Sequence, residues 1–133
     1  MQYDAFIGQV EHRARLPSRG DAVRATQAVL ETLAERIRAG EADDLAAQLP
    51  PEIGTYLRSA ETTERFDIEE FFLRVAAKET ADLPDAVHHA RAVMDVLQEA
   101  VTTGEMEDVR AQLPDTYKPL FEAGSEGEMD IDV

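Results

Sequence analysis

The chain contains no cysteine and no tryptophan, and only two of its 13 basic residues are lysines. The absence of cysteine excludes disulfide bonds, a cysteine–zinc site and a cysteine nucleophile. No apolar run approaches the ~18 residues of a membrane-spanning helix. The first residues, MQYDAFIGQV, lack the basic region and the long apolar core of a signal peptide. These absences predict a cytoplasmic protein that does not bind a membrane.

Acidic residues dominate the charge of this 133-residue chain. The 28 acids against 13 bases give a formal net charge of -15. Many acids with few lysines are typical of proteins that work in concentrated salt. In molar salt the Debye length falls to about 3 Å, so neighbouring surface carboxylates repel one another little. The composition predicts a salt-adapted protein from a halophilic archaeon, with an ordinary acidic bacterial protein as the alternative.

An internal repeat is the clearest pattern in the sequence. Residues 40–50 are GEADDLAAQLP and residues 104–114 are GEMEDVRAQLP, at an offset of 64. Between residues 21–58 and 85–122, 14 of 38 positions are identical. Such self-similarity predicts a tandem duplication. The predicted units are a first repeat at 1–58, a linker at 59–66, a second repeat at 67–122 and an acidic disordered tail at 123–133.

Apolar residues recur at steps of three and four in both halves, which predicts amphipathic helices rather than strands. Asp21 is the expected N-cap of the first long helix, and Gly40 and Gly104 are expected just after the two long helices. We predict an all-α fold with about four helices per half, packed as one compact bundle with pseudo-twofold symmetry. The expected core is Phe6, Val10, Val29, Leu33, Leu49, Phe71, Val75, Val93, Leu97 and Leu113.

Four segments carry a resemblance to a known family: YDAFIGQV, DAVRATQAVLETLAERI, GEADDLAAQLP and GEMEDVRAQLPDTYKPLF. With these segments the chain resembles the uncharacterised DUF2267 family of bacterial and archaeal proteins, over residues 3–122. The resemblance implies a small helical domain built from two repeats. It implies no catalytic residue, because the family has no established activity.

Two equivalent corners have the sequence Gln-Leu-Pro: Gln48, Leu49, Pro50 and Gln112, Leu113, Pro114. In a structural interpretation, each glutamine side chain bonds a free carbonyl at the end of its own helix, the leucine packs inside, and the proline ends the helix. In a functional interpretation, the two glutamines are ligands of a site shared by the halves. Repetition at equivalent places favours the structural interpretation.

Residues 12–24 form the one basic stretch, which contains Arg13, Arg15, Arg19 and Arg24. Guanidinium groups form forked hydrogen bonds with carboxylates and phosphates. We expect these arginines to bind an acidic protein surface, including that of a second copy, with salt bridges inside the chain as the alternative. Nucleic acid is disfavoured because no base-stacking aromatics accompany the arginines and concentrated salt weakens phosphate contacts.

Other polar groups do not form a recognisable active site. His88 and His89 are neighbours on a predicted helix and point about 100° apart, so we expect neither a shared site nor a metal. The acid pairs 43–44 and 107–108 are expected in first helical turns, where the helix dipole favours them. The chain has no nucleophile elbow, P-loop or dinucleotide fingerprint. We therefore predict no catalytic residue and no cofactor.

The sequence thus favours a non-enzymatic helical interaction or adaptor module that binds a protein partner or a second copy of itself. The alternative is a small-molecule or ion-binding, stress-related protein that uses a pocket between the two repeats. A partner surface predicts exposed apolar residues outside the core, whereas a ligand site predicts polar groups that converge on a pocket. An enzyme predicts a carboxylate or histidine with a shifted pKa in that pocket.

Overall fold

Eight α-helices and one short 3-10 helix make up residues 1–122, the part of the chain that the computed structural model describes. No strand occurs among these residues, which confirms the all-α prediction for them. The predicted tail at 123–133 lies outside the described residues. The elements are α1 (Tyr3–Arg13), α2 (Arg19–Arg36), α3 (Ala39–Ala46), α4 (Pro51–Leu57), α5 (Ile68–Glu79), α6 (Leu83–Ala100), α7 (Thr103–Ala111), the 3-10 helix (Asp115–Tyr117) and α8 (Lys118–Phe121).

Side-chain oxygens cap the N-termini of three helices. The Oγ of Ser18 accepts a hydrogen bond from the backbone N–H of Asp21 at 3.1 Å, so α2 begins at Arg19. The prediction of Asp21 as N-cap was therefore wrong by three residues, because Ser18 caps the helix one turn earlier and Asp21 is the residue whose N–H it accepts. Asp67 and Thr102 cap α5 and α7 in the same way.

The two glycines expected after the long helices lie elsewhere. Gly40 and Gly104 are inside the first turns of α3 and α7, so that prediction was wrong. Helix α2 ends at Arg36, and Ile37 follows it with an extended backbone, at φ -97° and ψ 162°. Val101 leaves α6 in the same conformation. A chain that leaves a helix in an extended conformation needs no left-handed residue, and hence no glycine.

The 18-residue helices α2 and α6 form the centre of the bundle. Helix α2 packs against α1, α4, α5 and α6, and helix α6 also contacts α1, α5 and α8. All ten residues of the predicted core are buried. Phe71 meets Tyr117 edge to face, with ring centroids 6.0 Å apart. The three-and-four spacing of apolar residues thus correctly identified the buried face of each long helix.

The segment between α4 and α5 is tied to several helices through Phe66. The Phe66 carbonyl accepts hydrogen bonds from the Nε of Arg36 at 2.8 Å and from the hydroxyl of Tyr117 at 2.7 Å. The guanidinium of Arg74 lies 3.9 Å from the centroid of the Phe66 ring. These contacts join α2, α5 and the 3-10 helix to one residue of the connecting segment. The repeat and linker boundaries stay predictions.

Candidate functional site

A cleft of about 530 Å³ opens between the α1–α2 turn and the α5–α6 turn, beside the N-terminal half of α6. The two turns are more than sixty residues apart in the sequence, so only the packing of the helices brings them together. Most of the side chains that line the cleft are ionisable. These ionisable residues are Arg15, Asp21, Arg24, Glu79, Asp85, His88 and His89.

Both turns contain a residue with left-handed backbone geometry. Arg15 has φ 54° and Thr80 has φ 57°, and each follows directly on the last turn of a helix. A left-handed residue at this place reverses the chain and lets its N–H bond one of the last helical carbonyls. The N–H of Arg15 donates to the carbonyl of His12 at 3.2 Å. Both tight turns direct their residues to the rim of the cleft.

A buried carboxylate orients one histidine of the cleft. Nδ1 of His89 lies 2.8 Å from Oε2 and 3.1 Å from Oε1 of Glu79, which is only 7% exposed. A carboxylate can only accept, so Nδ1 carries the shared hydrogen. The hydrogen bond to Glu79 raises the pKa of His89, and burial opposes that shift. The pair therefore favours a charged imidazole with a fixed ring orientation.

The pKa of the neighbouring His88 is shifted in the opposite direction. Burial and the charge of His89 lower the pKa of His88, and the two ring centroids are 5.9 Å apart. Both rings line the cleft, so the expectation that adjacent histidines do not share a site was wrong. The 100° between neighbours on a helix does not separate them, because residues of the α1–α2 turn and the α5–α6 turn line the same cleft.

Two of the four predicted partner-binding arginines lie away from the cleft, in ion pairs within the chain. Arg13 contacts Asp95 at 2.6 Å and Glu99 at 2.8 Å on helix α6. This contact raises the pKa of Arg13 and lowers the pKa of the Glu99 carboxyl. Arg19 pairs with an aspartate of α1. These pairs match the alternative of local salt bridges that the sequence left open.

The other two predicted arginines, Arg15 and Arg24, line the cleft. Arg24 pairs with Asp21 across one helical turn at 3.3 Å. The exposed guanidinium of Arg15 has no hydrogen bond or ion pair within the described part of the chain. The carboxylate of Asp85, in the first turn of α6, likewise has none among residues 1–122. The cleft therefore contains one unpaired cation and one unpaired anion.

The two glutamines of the Gln-Leu-Pro corners cross-link the halves of the chain. Oε1 of Gln48 accepts a hydrogen bond from the backbone N–H of Thr102, and Oε1 of Gln112 accepts one from that of Arg38, both at 2.9 Å. The prediction that each glutamine bonds a carbonyl at the end of its own helix was wrong. A free N–H at the start of the facing helix is within reach and takes the side-chain oxygen instead.

The other corner residues have the structural role that was predicted for them. Leu49 and Leu113 are buried in the core. Helices α3 and α7 end a few residues before Pro50 and Pro114. Pro50 has the extended geometry that proline favours, and it precedes the first residue of α4.

A cluster of carboxylates lies beside these glutamines, where α3 meets α7. Oxygens of Glu41, Glu105 and Asp108 all lie within 4.8 Å of one another. Nε2 of Gln112 donates to Oε1 of Glu41 at 3.1 Å. Burial, followed by the proximity of Glu41, raises the pKa of Glu105 to about 7. We call this cluster, with Gln48 and Gln112, the α3–α7 junction.

The first-turn acids of α3 and α7 are Glu41 and Glu105, not the pairs 43–44 and 107–108 that were expected there. Sequence analysis missed the two glutamates as site residues. They are 64 residues apart, the offset of the two similar sequence segments, and lie four residues before the apolar Leu45 and Val109. An identical acid next to the apolar face in both segments was the pattern that could have identified them.

The model of the family described as "Uncharacterized conserved protein (DUF2267)" matches residues 3–120. The chain belongs to the DUF2267 family. The range that matches DUF2267 includes every residue of the cleft and of the α3–α7 junction. No curated protein matches the sequence.

Among residues 1–122, no helix combines the length and the apolar character that a bilayer crossing requires.

Proposed function

We propose that this DUF2267 protein is a non-enzymatic helical binding module whose cleft takes a small zwitterion. Such a ligand carries one acidic group and one ammonium group, as a free amino acid does. The observation that carries the proposal is that two residues of opposite charge, Arg15 and Asp85, line one cleft and that neither forms an ion pair in the described part of the chain. This role develops the second hypothesis from the sequence, a small-molecule pocket between the halves.

Each end of the ligand has a matching group in the cleft. The planar guanidinium of Arg15 suits a carboxylate, which it can hold with two parallel hydrogen bonds. Asp85 can accept hydrogen bonds from an ammonium group. The remaining acids of the cleft, Asp21 and Glu79, already pair with side chains of the chain. A ligand with both charges can therefore pair with both Arg15 and Asp85, whereas a simple anion or cation pairs with only one of them.

The geometry supports binding more than catalysis. His89 held by Glu79 has the fixed orientation of an acid–base group, but its raised pKa favours the charged ring, and a general base also needs a nucleophile to activate. Among the described residues that line the cleft, Thr80 is the one with a hydroxyl group, and no hydrogen bond joins it to a histidine. The histidine pair is better suited to contacting a polar ligand in a fixed orientation.

Binding of a protein partner through the arginines has less support. Arg13 and Arg19 are engaged in ion pairs within the chain. In the described part of the chain, exposed large apolar side chains are limited to Met1, Leu73 and Leu83. A protein interface usually has an apolar centre. The adaptor hypothesis, which the sequence favoured, is therefore the second candidate.

The test is a binding screen of free amino acids by thermal unfolding and by NMR of the uniformly labelled protein. Each amino acid is paired with its amide, which lacks the carboxylate, and its N-acetyl form, which lacks the ammonium group. We expect at least one free amino acid to shift the His88 and His89 signals. The substitutions Arg15→Gln and Asp85→Asn should each weaken its binding at least tenfold.

Matched controls are Arg65→Gln and Asp115→Asn, which remove exposed charges outside the cleft. They should leave the affinity unchanged. The proposal is wrong if no amino acid shifts the histidine signals. It is equally wrong if the amide and the N-acetyl form bind as well as the parent compound, because the cleft then does not recognise both charges.

We also propose that the chain is a tandem duplication whose halves pack with pseudo-twofold symmetry. Four helices precede the connecting segment and four follow it, with 18 residues in the second of each set. The reciprocal contacts of Gln48 and Gln112 are equivalent at the repeat offset of 64. The left-handed residues Arg15 and Thr80 are equivalent at 65, the offset of the first helices.

The acidic composition supports a further proposal, that the protein works in the salt-rich cytoplasm of a halophilic archaeon. With a net charge of -15 and only two lysines, the surface depends on salt to screen its carboxylates. The dependence of stability on potassium chloride tests this proposal.

A further inference from the structure

The α3–α7 junction contains a carboxylate that burial leaves without a partner. Glu105 is 8% exposed, and its Oε2 has no hydrogen bond to the described part of the chain. Oε2 of Glu41, from the facing helix, is buried and equally unpartnered. A buried polar atom without a partner costs free energy comparable to a lost hydrogen bond, and more when it is charged. The junction is therefore incomplete without a further group.

The arrangement of oxygens has the dimensions of a cation site. One oxygen from each of Glu41, Glu105 and Asp108 lies within 4.8 Å of the other two. Oxygens that share one calcium ion are at most about 5.2 Å apart, because each Ca–O distance is 2.3–2.6 Å, so this arrangement permits a single ion. Calcium accepts several carboxylates in flexible geometry, whereas magnesium demands near-ideal octahedral geometry and is usually bound through one or two carboxylates.

We propose that Glu41, Glu105 and Asp108 bind a divalent cation of calcium size between α3 and α7. Three carboxylates supply hard oxygen ligands, and water completes the coordination. The ion neutralises charge that the burial of Glu105 makes costly. This site is separate from the cleft and does not depend on the function proposed there.

Neighbouring side chains hold one of the ligands in place. The Nε2 of Gln112 donates to Oε1 of Glu41, and the buried Oε2 of that carboxylate keeps no hydrogen-bond partner in the described part of the chain. Hydrogen bonds that orient a ligand in this way commonly strengthen metal binding. The oxygen of the same glutamine bonds the first residue before α3. A bound cation would therefore link α3 and α7 at the point where the two glutamines already join them.

A proton shared by the two glutamates is the competing explanation. The raised pKa of Glu105, about 7, is consistent with a proton held between it and Glu41. The two explanations differ in their response to metal ions. A cation site responds to calcium at a pH where the carboxylates are ionised, whereas a proton-sharing pair does not.

The experiment is calorimetric titration of the full chain with calcium chloride at pH 8, in metal-free buffer with potassium chloride. Magnesium chloride is titrated in parallel. We expect one calcium ion per chain, tighter binding than for magnesium, and an increase of several degrees in Tm. Glu105→Gln and Asp108→Asn should each weaken calcium binding at least tenfold. Glu107→Gln, an exposed acid on the same helix, should leave it unchanged.

NMR of the unmodified chain provides a test that needs no variant. Calcium should shift the amide signals of the first turns of α3 and α7, and leave those of the α1–α2 turn unchanged. The proposal is overturned if calcium releases no heat and shifts no signal, which would indicate a shared proton only. It is also overturned if Glu105→Gln binds calcium as well as the parent chain does, because that result indicates diffuse attraction to the acidic surface.

Discussion

The side-chain oxygen of Gln48 accepts a hydrogen bond from the backbone N–H of Thr102 at 2.9 Å. Gln112 makes the equivalent contact with Arg38 at the same distance. Thr102 and Arg38 are the N-cap residues of α7 and α3, whose N–H groups have no partner within their own helices. The N-cap of α7 thus bonds the glutamine that follows α3, and the N-cap of α3 bonds the glutamine that follows α7.

These reciprocal contacts predict that the two glutamines contribute to stability. Gln48→Ala should lower the free energy of unfolding by about 1 kcal/mol, because it leaves one N–H without its partner. Gln112→Ala should lower the free energy of unfolding by more than Gln48→Ala does, since Glu41 also loses a hydrogen-bond donor. Urea denaturation measures both values. Gln27→Ala, which removes only an exposed contact on α2, is the control. An equal loss in the control would contradict this role of the corners.

Arg74 is predicted to stabilise the connecting segment. Its guanidinium bonds Glu35, Glu64 and Glu70 and stacks on Phe66, and the bond to Glu64 is the largest cause of its raised pKa. Arg74→Ala should lower the free energy of unfolding by about 1–2 kcal/mol in dilute buffer, since Glu64 and Glu70 lose their cation, Glu35 keeps only Lys78, and the ring loses its contact.

Two further substitutions separate the contributions of Arg74. Arg74→Lys keeps the charge without the planar fork and should show an intermediate loss. Arg65→Ala removes an exposed arginine of the same segment and should have little effect. The cost of Arg74→Ala should decrease in molar potassium chloride, because salt screens the ionic part. A cost that does not depend on salt would assign the whole effect to stacking on the ring.

The two histidines of the cleft should titrate on opposite sides of the ordinary histidine pKa of about 6.5. The pKa of His89 is raised, chiefly by Glu79, so its stabilising contribution is complete below about pH 6.5 and is lost as the pH rises through the raised value. Glu79→Gln should lower the pKa of His89, as followed by NMR of the ring protons. Glu69→Gln, on the exposed face of the same helix, should not.

His88 contributes to the pH dependence in the opposite direction. Burial lowers its pKa, so the folded state favours the neutral ring and loses stability as the pH falls below about 6.5. His88→Gln should therefore reduce the loss of Tm between about pH 6.5 and the lowered pKa. An unchanged acid profile would mean that the His88 ring is better solvated than its position in the cleft indicates.

Potassium chloride should stabilise the protein at neutral pH. With a net charge of -15, the acidic side chains repel one another in dilute buffer. Screening of this repulsion over about 0.1–2 M salt should raise Tm. The control is the same titration near the isoelectric point of 4.4, where the net charge is close to zero and the increase should be much smaller. A Tm that is flat or falls with salt at pH 7 would contradict the proposed adaptation to a salt-rich cytoplasm.

Local patterns in the sequence were enough to predict the helices and the core. The spacing of residues such as Val29 and Leu33 on α2 follows the helical period, and burial of that face is how a helix of this kind is stabilised. Helix ends were harder to predict. Ser18 rather than Asp21 caps α2, because serine and aspartate are both good N-cap residues and the sequence does not fix at which of them the helix begins.

Only the tertiary structure decided which distant groups meet. The sequence by itself determined an acidic composition, the helical character of residues 1–122, a repeated Gln-Leu-Pro corner and membership of its family. The partners of Gln48, the meeting of Glu41 with Glu105, and the cleft that joins Arg15 to Asp85 depend on how the helices pack. Helical periodicity is a property of neighbours along the chain, whereas these contacts join residues more than fifty positions apart.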